Sequence, residues 1–309
     1  MKQIAMSKQT GKRQRKWVSQ TYYHIMMMPG MILLLIFSYI PMTGIIMAFQ
    51  NFVPAKGISG SKWVGLKHFK ELFSNRDITL LIRNTLTIAL GKIVLGTLVA
   101  IIFAILLNEI RVRWLKKSVQ TIVYLPHFLS WVILASVVSN LFNLDGMVNS
   151  LLSGLGLEKA NFLGSNSLFQ PLLIGTDVWK EFGYNSIVYL AAITAVDPNL
   201  HEAAAVDGAS WWRRVWHVTL PAMLPIIMMM AAINVTGILN GGFDQVYNLY
   251  SPKVYETGDI LDTYVYRVGL INREYGFGTA VGLFKSVVGM VLMLSVNWLS
   301  KKTTRRSIF

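Results

Sequence analysis

Six apolar stretches, at approximately 25–49, 85–108, 119–142, 172–196, 222–244 and 278–300, decide what this chain can fold into. Crossing about 30 Å of hydrocarbon takes a helix of roughly 20 residues, and each stretch reaches that length. Inside a bilayer the backbone must satisfy its own hydrogen bonds, which leaves helices or closed barrels. None of the six alternates with a period of two, so helices are expected. The first and third hold no Asp, Glu, Lys or Arg, and the fifth only Asp244 at its end. Charged residues make up 14% of the chain, against about 25% in an ordinary soluble domain. The expected fold class is all-α, a polytopic membrane protein with six transmembrane helices. It divides into a basic N-terminal segment (1–24), a membrane domain (25–300) and a basic C-terminal tail (301–309).

The formal charge of +14 does not form one basic face, as nucleic-acid binding would need. Lys and Arg fall in the connections instead, which is the signature of membrane topology. With the N-terminus inside, the inner segments hold sixteen: Lys2 to Lys16, Arg111 to Lys117, Arg213 and Arg214, and Lys301 to Arg306. The outer loops hold ten, six of them between Lys56 and Arg83. Both termini are then expected in the cytoplasm. The apolar run Met26 to Phe49 is too long for a secretory signal and lacks a small-residue cleavage site, so it reads as a retained first span. There is no cysteine, which excludes disulfides and thiolate metal sites.

Polar residues inside the spans are the candidates for a solute path. Lys92 and Lys285 each sit seven or eight residues in from an outer end, where they either snorkel and pair or line a path. Asp177, Lys180 and Glu181 share one face of the fourth span and suit local ion pairing. Tyr184 and Asn185 follow on the same span. Asn234, Thr236, Asn240 and Asp244 mark the fifth, with Gly237 and Gly241 spaced for close packing. Gly241-Gly242-Phe243 reads as a break at its outer end. These amides and aromatics suit sugar hydroxyls and rings, and they suit interhelical contacts equally well. Outside the membrane, Trp63, Leu66, Phe69 and Leu72 or Phe73 recur at helical spacing and predict a helix lying on the outer surface. The loop 143–170 is rich in Gly, Asn and Ser. The loop 245–277 combines Asp259, Asp262 and Glu274 with six tyrosines, which fits an interfacial belt or carbohydrate contact.

Three enzyme-like fragments fail. His201-Glu202 opens like a zinc motif, but Ala205 stands where the second His belongs. Gly278 to Ser286 lacks the Gly-Lys-Ser/Thr ending of a phosphate loop and lies in an apolar helix. Glu256 and Asp259 have no frame for acid–base work. The chain therefore has no means of hydrolysing ATP by itself.

Asp197 to Pro221 is a polar, basic insert between the fourth and fifth spans, and it carries full helix punctuation. Asp197 is a good N-cap and Pro198 suits the first helical position. Gly208 ends that helix. Ser210 caps a second short helix that Pro221 is expected to close. Glu202-Ala203-Ala204, two residues, Asp207-Gly208-Ala209, eight residues, then Val218-Thr219-Leu220-Pro221 resembles the EAA loop of ABC importer permeases. That resemblance implies a type I importer fold in which 197–221 is the coupling loop. It implies an ATPase-coupling role for Glu202, Ala203, Ala204, Asp207, Gly208, Ala209, Leu220 and Pro221. The implied partners are a cytoplasmic ABC ATPase dimer that uses ATP and magnesium, a second permease subunit, and an extracytoplasmic solute-binding protein. No cofactor is implied in this chain, no enzymatic activity, and a bacterial plasma-membrane location.

Trp179 to Gly183, Tyr189-Leu190-Ala191-Ala192 and the stretch Gly241 to Leu270 resemble the carbohydrate branch of these permeases. The likeness is to maltose-type members and to those for plant-polysaccharide oligosaccharides such as uronate fragments. The extra N-terminal spans and outer domain of the maltose-type member are absent here, so its sugar contacts do not transfer. Candidate substrate-path residues are Lys92, Tyr184, Asn185, Asn234, Asn240, Phe243, Asp244 and Lys285. A permease for another solute, or a channel or membrane enzyme with no ATPase, remains the alternative. An anion permease would favour mid-span Arg, of which there is none.

Overall fold

The computed structural model describes residues 22–304. The basic residues of 1–21, and Arg305 and Arg306, lie outside the described residues. The chain is helical nearly throughout: α1 (Tyr22–Phe49), α2 (Lys67–Ser74), α3 (Arg76–Glu109), α4 (Arg113–Tyr124), α5 (Trp131–Phe142), α6 (Met147–Gly154), α7 (Asn166–Thr194), α8 (Pro198–Val206), α9 (Trp211–Thr236), α10 (Phe243–Leu249), α11 (Leu261–Val265) and α12 (Tyr275–Thr304). A two-residue hairpin, Gln50–Asn51 against Lys62–Trp63, is the sole sheet among the described residues.

Five segments are long and apolar enough to cross a membrane: α1, α3, Trp131–Gly154, α9 and α12. The fourth expected span, α7, has 29 residues, about 44 Å of helix. Its midpoint carries Asp177, Lys180 and Glu181, which makes it less apolar than the other five. The third expected span departs most. Its helix stops at Tyr124, passes through a short 3-10 turn containing Pro126, and opens into extended backbone at Leu129 and Ser130. A new helix then starts at Trp131. Pro126 removes a backbone donor and crowds the preceding turn, and the two parts pack against different stretches of α7, Val123 on Gly183 and Val138 near Leu172.

The core runs along the seam between α3 and α7, which lie parallel. Ala100 and Ala104 are fully buried, and their small side chains let Tyr189 and Ile193 of α7 approach closely. Nearer the other end, a Cβ on Gly91 would stand 2.4 Å from the Ile174 side chain. Val215 and Met223 of α9 complete the lower cluster, while Ile88, Phe169, Leu173 and Val246 form an upper one. By contrast, every side chain from Tyr22 to Thr43 is exposed. α1 meets the rest of the bundle through its last ten residues, which pack on α12.

Two π-helical turns, Leu35–Tyr39 and Val215–Thr219, each end two residues before a proline, Pro41 and Pro221. A proline ring collides with the carbonyl four residues back, which is Phe37 in one case and His217 in the other. Widening that turn accommodates the ring, and the helix continues. Pro221 therefore does not close a second short helix. Trp211 to Thr236 is one continuous rod.

The outer-surface helix forms as α2, but its buried residues are His68 and Leu72. Trp63, Leu66 and Phe73 are exposed. The apolar stripe is split because α2 packs its His68–Leu72 face against α12. Within 143–170 the chain folds around Asn149, which is fully buried. Its side-chain amide donates to Asn143 O and Ala160 O and accepts from the Ala160 N–H, all within 2.9 Å.

Candidate functional site

α8 stands at the end of the bundle where α3, α7 and α12 finish. Asp197 caps it, its carboxylate accepting from the Asn199 N–H at 3.0 Å, and Pro198 opens the first turn. No residue of α8 is buried, and Val206 is 88% exposed. Gly208 then takes the left-handed backbone with φ +76°, and nothing lies within 4 Å of where its Cβ would be. Ser210 is extended but makes no capping bond through its side chain. The next helix starts at Trp211 and sinks at once into the bundle through Val215 and Leu220.

The eight residues of the E-A-A and D-G-A pattern thus separate. Glu202, Ala203, Asp207, Gly208 and Pro221 lie open, Ala204 and Ala209 are half-buried, and Leu220 packs in the core. The result is a bare helical elbow whose two arms are α7 and α9. Trp212 and Trp216 are more than 60% exposed beside it.

A cavity of about 150 Å³ opens between the same two arms and α3, lined by Lys92, Thr97, Asp177, Glu181, Asn185, Tyr189 and Asn234 among others. Asp177, Glu181 and Asn185 recur every fourth residue, so α7 presents them as one stripe. Lys92 lies deeper than the sequence suggested, because α3 begins at Arg76 and places it mid-helix. Its ammonium donates to Asp177 Oδ1 at 3.2 Å and to Gly241 O at 3.0 Å. A lysine facing lipid at that depth would cost on the order of 3 kcal/mol, and these two acceptors offset it.

Asp177 pairs across helices rather than with its neighbour Lys180. Lys180 donates instead to Glu181 Oε1 at 2.6 Å and to His127 O at 2.9 Å. Glu181 Oε2 lies 2.6 Å from His127 Nδ1. A carboxylate only accepts, which places the ring proton on Nδ1. Tyr184 lies flat on His127, ring centroids 3.8 Å apart.

The candidate path residues divide accordingly. Lys92, Asn185 and Asn234 line the cavity, and Tyr184 stands next to it on the His127 ring. Asn240 and Asp244 are exposed around the break at Gly242, where φ is +88°. Phe243 stacks on Tyr247 at 5.2 Å. Lys285 does not join them: it pairs with Asp262 of α11. Asp177 and Glu181 were expected as local ion-pairing groups rather than as lining residues, and His127 was not foreseen. The four-residue spacing on α7 carried the signal for the first two.

The tyrosines of 245–277 fold on one another and on Arg267. Arg267 lies 4.6 Å over the Tyr255 ring and pairs with Asp259 at 2.5 Å. Burial and the neighbouring Tyr255 hydroxyl push the Tyr250 hydroxyl up to about 12.

Residues 92–305 match a family model described as the binding-protein-dependent transport system inner membrane component. The chain is 44% identical to the polygalacturonan/rhamnogalacturonan transport system permease protein YteP of Bacillus subtilis, over 96% of this chain and 94% of that one. It is 39% identical to protein LplB of the same organism, over 95% and 91%. The fold matches a chain in the crystal structure of a bacterial ABC transporter involved in the import of the acidic polysaccharide alginate, with a TM-score of 0.86 and 39% identity over 94% of this chain and 99% of that one.

Proposed function

The chain belongs to the family of binding-protein-dependent transport system inner membrane components, and on that premise we propose that it is the permease subunit of an ATP-driven oligosaccharide importer. The solutes are fragments of plant polysaccharide, uronate-bearing ones included. Two of its relatives are described as handling polygalacturonan with rhamnogalacturonan, or alginate. A further crystal structure of the alginate transporter, at a TM-score of 0.85, holds an alginate pentasaccharide-bound periplasmic protein, which supports a solute-binding protein as the source of the sugar here.

One observation carries the reading. The bare elbow at α8 is joined by two unbroken helices, α7 and α9, to the polar cavity that Lys92, Asp177 and Asn234 line. In the proposed cycle a separate ATPase dimer grips the elbow with Glu202 and the open face of Ala203. A second permease subunit completes the path. ATP binding draws the elbows together and turns the cavity outward to receive sugar. Reopening releases it to the cytoplasm, which places α8 and both termini inside.

Uptake by a strain lacking this gene tests it. Labelled neutral and uronate-bearing oligosaccharides are compared with monosaccharides, peptides and phosphate. Loss of uptake confined to an oligosaccharide class, restored by the intact gene and not by Gly208→Asp, is the expected result. A defect for peptides or phosphate with sugar uptake intact would overturn the carbohydrate reading. Full restoration by Gly208→Asp would overturn the coupling role.

A further inference from the structure

The cavity between α3, α7 and α9 has an asymmetric charge lining. Two carboxylates, Asp177 and Glu181, face it, and Lys92 is the only cation lining it among the described residues. Lys180 compensates Glu181 from behind, bonded to its Oε1 and to the His127 carbonyl. Lys92 compensates Asp177 in the same way but from within the cavity wall.

The Lys92 ammonium bonds two acceptors, Asp177 Oδ1 and the Gly241 carbonyl. Beyond Asp177 and the Gly241 carbonyl lies Gln245, fully buried, whose amide donates to Leu173 O and Thr176 Oγ1. Its Oε1 has no hydrogen-bond partner. The position of a Cβ on Gly242 would be 2.5 Å from Lys92 Nζ and 3.8 Å from Gln245 Oε1, so both atoms lie beside Gly242.

Resting on the oligosaccharide reading above, we propose that Lys92 is a specificity-determining residue of the translocation path: by neutralising Asp177 it lets carboxylate-bearing sugars pass. Carboxylates lining a path accept hydrogen bonds from sugar hydroxyls, so a neutral sugar meets no penalty there. A uronate brings its own negative charge into a site partly removed from water, where unit charges a few ångströms apart repel strongly. With each wall carboxylate matched by a lysine the net charge is zero. Removing Lys92 alone leaves Asp177 bare in front of the passing anion.

The test uses whole cells carrying the complete importer and two probes, trigalacturonate and its fully methyl-esterified form, which differ in charge and little in shape. The readout is the acid-to-ester uptake ratio relative to wild type, which cancels any preference of the solute-binding protein. Lys92→Met should lower that ratio on the order of tenfold. Asp177→Asn should raise it, and the double variant should return it close to the wild-type value.

Equal losses for both probes, or an unchanged ratio in Asp177→Asn, would overturn the proposal and leave Lys92 a packing residue. If Lys92→Met fails to accumulate in the membrane, Asp177→Asn and the charge-free double variant decide the matter by the same ratio. Wild-type cells that take up neither probe above a gene-deleted strain would overturn the reading that uronate-bearing fragments are among the solutes, and this inference with it.

Discussion

Gly183 of α7 packs against the carbonyl oxygen of Val123, so closely that a Cβ on the glycine would stand 2.4 Å from it. The contact joins α7 to the end of α4, just before the chain opens at Leu129. The obstacle is backbone, which cannot rotate away.

Gly183→Ala should therefore destabilise the protein by about 1–3 kcal/mol, as overpacking does, and lower its thermal unfolding temperature in detergent. Gly175→Ala, in the same helix with nothing within 4 Å of the added carbon, should stabilise it slightly. Equal behaviour of the two variants would show that α7 and α4 are not in this contact.

At the elbow, Gly208 has ample space and an unfavourable backbone for any other residue. Gly208→Ala should cost about 1–2 kcal/mol of local strain while leaving insertion intact. Gly208→Asp should add a charge on the surface that the ATPase reading requires to be close-fitting. It should abolish uptake and transport-coupled ATP hydrolysis at normal membrane levels. Membrane abundance by immunoblot, with ATPase activity of the reconstituted complex, checks both. Wild-type coupling in Gly208→Asp would argue that α8 is not gripped.

Asn149 holds the 143–160 excursion through three bonds to backbone. Asn149→Leu would strip partners from the Asn143 and Ala160 backbone, which is part-buried, a loss of at most about 1–3 kcal/mol for each group left unsatisfied. Limited proteolysis should then cleave within 143–165 much faster than in the wild type, and α7 should stay protected. Unchanged cleavage would mean that the excursion is held by its apolar contacts instead.

Tyr250 supplies a pH dependence. Its hydroxyl is pushed up to about 12 by burial first and Tyr255 next, while an unfolded tyrosine ionises near 10. The folded state keeps its proton longer. The contribution is full below roughly pH 10 and is lost as pH rises through about 12. Tyr250→Phe should flatten the alkaline stability loss in that window, and ultraviolet titration should lose one late tyrosinate. A Tyr250→Phe variant with the same alkaline slope as wild type would refute the assignment.

How much of this was legible in the sequence depended on whether the signal was local. The N-cap at Asp197, the left-handed turn at Gly208 and the break at Gly241-Gly242 were all readable, because each rests on the conformational needs of one or two residues. The continuity of α9 through Pro221 was not, since the π turn that makes room for the ring leaves no compositional trace. The partner of Asp177 was misjudged for a related reason. Helical spacing shows that Lys180 is near, but only the parallel packing of α3 on α7 brings Lys92 nearer. Depth left Lys285 either pairing or lining a path, and its partner, Asp262, is remote in sequence.

The unbroken course of α9 has a mechanical meaning. Trp211, Val215, Leu220, Met223 and Met230 all pack on the seam of α3 and α7, a contact that runs along about 29 Å of the rod at 1.5 Å per residue. A push at Trp211 would therefore travel through a braced shaft and arrive at Thr236, beside Asn234 and the cavity. The proline that would ordinarily have been its weakest point has been built into the shaft.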